Sequence, residues 1–251
     1  MSDNTCIPVT RVVKILKKNE LFENISQEHF NQILNFSSII KVEEKEFIFI
    51  QEAQAQNLYI IIEGMVAMFS ETPHGQEIFS NIAKSGDMIG ETALLNDFPY
   101  NLNTKALSKS SLLKIPANKI KSFLQKNPTL SFNFLNKITL SYCKLVAKIE
   151  RNSTLMAPQR LGCFLLTLDK RKLSNGTIKV TFPYEKKIVA SYLKMTPETF
   201  SRSILYMERY GIKTDGNSII IDDINKLKKF SCHNCTKLSD EAQMTCAIYT
   251  K

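Results

Sequence analysis

The stretch Ile188-Val-Ala-Ser-Tyr-Leu-Lys-Met-Thr-Pro-Glu-Thr-Phe-Ser-Arg202 decides how the chain is read. It divides into two short helices joined by a tight turn. Ala190 is small where the first helix must approach the second closely. Thr196 suits the N-cap of the second helix, because its hydroxyl can accept an orphan backbone N–H, and Pro197 suits the first turn, where a missing N–H costs nothing. Phe200, Ile204 and Met207 recur at i, i+4 and i+7 and are expected in the core. Glu198, Ser201 and Arg202 share the other face, and with Thr196 and Thr199 they make up the candidate contact residues. The N-terminal end of such a helix is the part that meets base edges in a major groove. Arginine can donate a bidentate pair to guanine O6 and N7, glutamate can accept from the cytosine amino group, and serine can serve either way. The plainer alternative is a solvated face with a Glu198–Arg202 ion pair.

The flanking sequence favours the DNA reading. Gln159–Leu168 has a helical pattern and Lys179–Phe182 that of a short strand. Ile212–Thr214 and Ser218–Ile221 flank Asp215-Gly216-Asn217, a hairpin turn in which glycine accepts positive φ. A helix-turn-helix followed by a hairpin is a winged arrangement, expected over residues 154–230. The formal net charge is +9, and residues 153–230 hold 14 Lys/Arg against 7 Asp/Glu. Most of the excess charge therefore sits on the part that would face a polyanion, and double-stranded DNA is the expected partner.

Towards the N-terminus, Thr129 to Asn152 reads as one long helix. Leu135, Ile138, Tyr142, Leu145 and Ile149 follow a 3-4-3-4 spacing, the seam of a two-stranded coiled coil, so a homodimer is expected. Asn152-Ser153 reads as the hinge after it. Before Pro116 the period is that of strands: Phe47–Ile50, Leu58–Ile62, Met65–Ser70, Glu77–Ile82 and Leu112–Ile115, punctuated by Glu63-Gly64, His74-Gly75 and Ser85-Gly86-Asp87. Short strands with glycine turns argue for an antiparallel barrel or sandwich. Residues 1–38 read as short helices, with Ser26 capping Gln27–Phe36, and Ala117–Lys126 as another. The expected fold class is α+β: an antiparallel β-roll over 1–128, a dimerisation helix and hinge over 129–153, a winged helix-turn-helix over 154–230, and a cysteine-containing extension over 231–251.

Other function classes find no support. No apolar run is long enough for a membrane span and Met1–Lys18 lacks the apolar core of a signal peptide, so a cytoplasmic protein is expected. No phosphate-binding loop, zinc-protease helix, nucleophile elbow or dinucleotide fingerprint occurs, and three histidines leave little for acid–base work. A non-enzyme is expected. Cys6, Cys143 and Cys163 are scattered, whereas Cys232, Cys235 and Cys246 cluster near the C-terminus.

With these residues in view, the chain resembles the Crp/Fnr superfamily of transcription regulators over nearly its whole length. In front, the likeness rests on Gly64, Gly75, Gly86-Asp87 and Gly90-Glu91, spaced as in the cyclic-nucleotide-binding β-roll. Behind, it rests on Glu198-Thr-Phe-Ser-Arg202, whose Glu-x-x-Ser-Arg form is similar to the Fnr branch and to regulators of the Dnr/HcpR type. The resemblance implies TTGAT-like palindromic half-sites, RNA polymerase as a partner, and an effector that switches a dimer between two states. Lys194 departs from the glycine usual in the family's turn and is expected to cost about 1 kcal/mol if the turn needs a left-handed residue.

For the effector, family members that bind cyclic nucleotides place an arginine about ten residues after Gly-Glu. Here that position is Tyr100, which argues against cyclic AMP, and leaves Gly90, Glu91 and Tyr100 as an effector pocket of other character. Nitric oxide or oxygen sensing through haem is one expectation, with His29, His74, Met65, Met68 and Met88 as ligand candidates. A [4Fe–4S] cluster or zinc on Cys232, Cys235 and Cys246, completed by His233, Cys6 or a carboxylate, is the other. A regulator answering to a small organic effector or a cyclic nucleotide is the alternative function.

Overall fold

The computed structural model describes residues 9–94 and 98–231. The chain divides into two compact units, Met1–Thr139 and Leu140–Lys251. The first begins with α1 (Val9–Lys17), a 3-10 turn at Glu20–Phe22, and α2 (Gln27–Phe36). Ser26 caps α2 as expected, its Oγ accepting from His29 N at 3.2 Å. There follow β1 (Ser38–Val42), β2 (Phe47–Phe49), β3 (Asn57–Glu63), β4 (Met65–Glu71), β5 (Glu77–Lys84), β6 (Met88–Ile89), the short α3 (Glu91–Leu94), β7 (Asn103–Ala106), β8 (Ser110–Pro116) and α4 (Ala117–Lys126). All strand pairings are antiparallel, in two four-stranded sheets ordered β1-β8-β3-β6 and β2-β7-β4-β5.

The apolar run in β3 reflects burial on both faces of the strand. Leu58, Ile60 and Ile62 join the cluster under the helices with Leu16, Phe30, Ile120 and Phe134. Tyr59 and Ile61 point into the roll beside Val66, Tyr100 and Leu112. The β3–β4 turn requires a glycine: Gly64 has φ +93°, and a Cβ there would meet Ser110 Oγ at 2.1 Å. Strands β1, β6 and β7 were not expected. β7 reads Asn-Thr-Lys-Ala, without strand-like composition, and forms because β2 and β4 flank it.

The long helix α5 (Pro128–Thr154) spans the division between the units. It passes straight through Asn152-Ser153, correcting the expected hinge. Ser153 Oγ and Thr154 Oγ1 donate to the carbonyls of Ile149 and Glu150 at 3.0 and 2.8 Å, so these polar residues are accommodated by bonding back to the helix.

The second unit continues with α6 (Ala157–Thr167), β9 (Lys170–Lys172), β10 (Ile178–Thr181), α7 (Lys186–Tyr192), α8 (Pro197–Met207), a 3-10 turn at Glu208–Tyr210, β11 (Ile212–Asp215), β12 (Ser218–Ile221) and α9 (Ile224–Ser231). Its antiparallel sheet has the order β11-β12-β10-β9, so the expected hairpin is one edge of a four-stranded sheet. Leu161, Leu165, Val189, Phe200, Met207, Ile219 and Leu227 meet in its core. The helices α6 and α9 pack closely because residue 162 is glycine; a Cβ there would lie 2.3 Å from Ser231 Oγ.

Candidate nucleic-acid interface

Helix α8 is built as its sequence implies. Thr196 is the N-cap, its hydroxyl accepting from Thr199 N at 3.2 Å, with Pro197 in the first turn. Phe200, Ile204 and Met207 are buried, joined by Ser203, whose hydroxyl donates to Thr199 O at 2.7 Å. Glu198, Thr199, Ser201 and Arg202 are not in the buried set, and Glu198, Ser201 and Arg202 stand exposed on one face. The Thr196 hydroxyl and the N-terminal backbone hold the Glu198 carboxyl below its usual range, with the Arg202 charge a smaller cause. Ser201 Oγ donates to Pro197 O at 3.0 Å and must turn off that bond to address a base.

The turn before α8 does need a left-handed residue. Lys194 has φ +55°, the conformation that favours glycine. Its backbone N–H donates to Ser191 O, and Met195 N to Ala190 O, both at 3.0 Å. Arg160, in the first turn of α6, reaches this turn from behind. Its guanidinium donates to Leu193 O at 3.1 Å and Lys194 O at 3.3 Å, and also to Leu155 O at 2.9 Å and Asn152 O at 3.5 Å. The end of α5 and the turn of the helix-turn-helix are therefore held by one side chain. Nothing in the spacing of the sequence singled Arg160 out.

In the wing, Lys179 pairs with Asp215 at 2.7 Å and Lys186 donates to Gly216 O at 2.8 Å, which fixes the tip of the β11–β12 hairpin. At the opposite edge of that sheet, β9 exposes Lys170, Arg171 and Lys172. Lys170 donates to Leu166 O and Leu168 O at the end of α6. This basic edge was read in the sequence only as part of the overall charge.

Along α5 the structure sorts the expected seam. Leu135, Tyr142, Leu145 and Ile149 are exposed, but Ile138 packs on the core of the first unit. The reason is periodic: Leu130, Phe134 and Ile138 fall at i, i+4 and i+8, and the first two are buried. The exposed stripe instead includes Phe132 and Val146, which the sequence reading missed. Residues 132, 135, 139, 142, 146 and 149 keep an unbroken 3-4 spacing, with Thr139 as its one polar member.

In the β-roll, Gly90 has φ +85°, and a Cβ there would lie 3.2 Å from both Asn57 O and Tyr100 Cε1. Tyr100 is buried, donates its hydroxyl to Asn57 O at 2.7 Å and stacks on Phe49 with ring centroids 3.9 Å apart. Burial pushes its phenol up to about 12. From Gly90 to Thr104 the sequence holds no Lys or Arg. None of residues 90–104 therefore offers a cation to a cyclic phosphate, and Lys105, the next residue, is paired with Glu77 and lies over Phe69. Glu91, at the start of α3, is pushed up to about 7, first by burial and then by Asp87, against the pull of its own backbone N–H and of Lys137. Thr104 Oγ1, fully buried in β7, has no hydrogen-bond partner among the described residues.

The haem candidates are not gathered. His29 on α2 meets Asn127 at 2.6 Å and the edge of Phe123, while His74 lies in the exposed β4–β5 turn. Met88 packs with the helical cluster and Met68 inside the roll. Met65 opens β4 and is half-buried. Among the described residues no group of three or more His, Cys, Asp or Glu could hold a metal. Cys232, Cys235 and Cys246, with His233 and Cys6, lie outside the described residues. Among those described, no helix is long and apolar enough to cross a membrane.

Comparison with known proteins agrees with the fold. Residues 39–127 match the cyclic nucleotide-binding domain family, and residues 159–230 the Crp-like helix-turn-helix domain family. The chain is 24% identical over 220 residues to the anaerobic regulatory protein of Bacillus subtilis, covering 84% of this chain and 91% of that one. It is 23% identical over 219 residues to the anaerobic regulatory protein of Haemophilus influenzae, covering 86% and 85%. Among solved structures, a Ruegeria pomeroyi protein at 26% identity covers 90% of this chain and 99% of its own, with a TM-score of 0.63. FixK2 from Bradyrhizobium japonicum, at 17% identity, shares the fold with a TM-score of 0.67 over 78% and 98%.

Proposed function

The chain belongs to the Crp/Fnr family of transcription regulators, and we propose that it works as a homodimer reading a palindromic, TTGAT-like DNA site with Glu198, Ser201 and Arg202 of each copy. One observation carries this reading: the three side chains stand exposed on a single face of α8, whose opposite face is locked into the core by Phe200, Ile204 and Met207. Arg202 addresses guanine O6 and N7, and the ionised Glu198 accepts from a cytosine amino group. The exposed stripe of α5, from Phe132 to Ile149, supplies the dimer seam. Two copies then present their α8 helices to half-sites one helical turn of DNA apart. The test is titration of a duplex carrying inverted TTGAT half-sites over a range of salt. Affinity that falls steeply with salt and exceeds that for scrambled DNA supports the reading, because phosphate contacts release counterions. Equal, weak binding to both duplexes overturns it.

The effector we propose is the redox state of the cell, sensed at the C-terminal cysteines. Cys232, Cys235, Cys246 and His233 offer the soft thiolate and imidazole donors that iron–sulfur or zinc sites use. The tail begins immediately after Ser231, which is buried against Gly162, so a change at Cys232 acts on the root of the reading domain. An Fe–S cluster, when bound, supplies oxygen sensitivity. The Bacillus and Haemophilus relatives are named anaerobic regulatory proteins, which supports the same reading. A visible spectrum with iron, sulfide and zinc analysis on protein purified without oxygen tests it. A broad band near 400 nm with labile sulfide supports a cluster, whereas colourless, metal-free protein overturns the metal reading. A second reading, a small polar effector inside the β-roll, is favoured by the unsatisfied Thr104 hydroxyl.

A further inference from the structure

The reading face of α8 contains an apolar residue that the proposed function leaves without a role. Leu205 is 66% exposed, more than any other apolar residue of α8. It lies three residues after Arg202, four after Ser201 and seven after Glu198, which places it in the middle of their face. The aromatic residues that follow are turned elsewhere: Tyr206 stacks near Phe230 and under the Arg209 guanidinium, and Tyr210 lies on Phe230. Leu205 thus adds nothing to the core and extends a strip of hydrogen-bonding side chains with a branched hydrocarbon.

Base edges in the major groove offer one apolar group, the C5-methyl of thymine. Helical rise puts Leu205 about 4.5 Å beyond Arg202 along the axis, close to the roughly 3.4 Å that separates successive bases. We propose that Leu205 packs against the methyl of a thymine neighbouring the guanine read by Arg202, and so helps to determine sequence specificity. The inference rests on the DNA-reading role proposed for α8, and adds to it a contact that discriminates by an apolar group.

The test uses the full chain and the duplex that the wild-type protein selects from a randomised pool. Each thymine of that duplex is replaced in turn by deoxyuridine, which removes the methyl and leaves every hydrogen-bonding group in place. At one position per half-site the wild-type chain should lose about threefold to fivefold in affinity, the worth of one buried methyl. Leu205→Ala should bind the thymine and deoxyuridine forms of that position equally, while Leu205→Met keeps the preference. Both variants should melt with the wild-type chain, since the side chain is exposed. An unchanged thymine preference in Leu205→Ala, or no methyl-dependent position at all, overturns this inference and leaves the DNA reading standing. Failure to select any duplex overturns the DNA reading, and the inference with it.

Discussion

A single arginine has more to lose at Arg202 than anywhere else on α8. Arg202→Ala should remove discrimination at one guanine position, worth about 1–3 kcal/mol, while leaving weak, salt-dependent binding to any duplex. Competition between duplexes that differ at that base pair measures it, and an unchanged preference would mean that Arg202 does not read the base. At Lys194 the expected change is in stability. The φ of +55° is one that glycine adopts freely, so Lys194→Gly should raise the unfolding free energy by about 1 kcal/mol; a lower melting temperature would refute the strain argument. Glu91 gives a pH dependence. Its carboxyl is pushed from 4.5 to about 7 in the folded chain, so between those values the folded state holds a proton that the unfolded chain has lost. Its contribution is full below 4.5, fades as pH rises to about 7, and stays lost above. Glu91→Gln should flatten that part of the stability–pH curve and raise the melting temperature at pH 8. These residues also show what the sequence could reveal. The Thr196 cap, the burial of Phe200 and the exposure of Arg202 were legible because caps and buried faces repeat at fixed helical offsets. Arg160 was not, since its partners are four backbone carbonyls that only the folded chain brings together.

Helix α5 carries two apolar stripes, and periodicity alone merged them. Ile138 satisfies a 3-4 spacing with Leu135 and Tyr142, yet it continues the buried line of Leu130 and Phe134. Thr139 takes its place on the exposed side, where a polar residue hid the true register. The two stripes should separate experimentally. Val146→Glu places a charge on the exposed stripe and should yield a folded monomer by light scattering, with binding to the palindrome reduced at least tenfold. Ile138→Glu buries a charge against the first unit and should lower its melting temperature instead. A dimeric Val146→Glu protein would place the seam elsewhere. The sheets were legible in a similar, partial way. β3 and β8 announce themselves by apolar composition, while β7 and β9 are polar segments made into strands by their neighbours.

At the scale of the molecule, the proposed function makes sensing and reading separable. Replacing Cys232 and Cys235 together by Ser should leave salt-dependent DNA binding in reduced protein intact and remove its response to air, measured by comparing affinities before and after oxygen exposure. Retained oxygen sensitivity would move the sensor away from the tail. In the front half, Gly64, Gly90 and the strand order accompany a match to the cyclic nucleotide-binding domain family, with Tyr100 buried and stacked on Phe49. The sequence announced the missing arginine, but not that a tyrosine hydroxyl would be tied to the Asn57 backbone.

The grip of Arg160 bears on how such chains can be recombined. Regulators of this kind invite domain exchange, with a new reading head spliced behind an old sensor, and the natural-looking place to cut is the break between α5 and α6. A splice there would give Arg160 from one parent and the carbonyls of Asn152 and Leu155 from the other. Because a main-chain carbonyl is the same in every residue, such a splice asks only that the backbone path from 152 to 160 be conserved in shape. The joint is therefore indifferent to sequence and intolerant of length: a hybrid with one residue inserted between Thr154 and Ala157 should transmit less of its sensor's state than one in which every side chain of that stretch is exchanged.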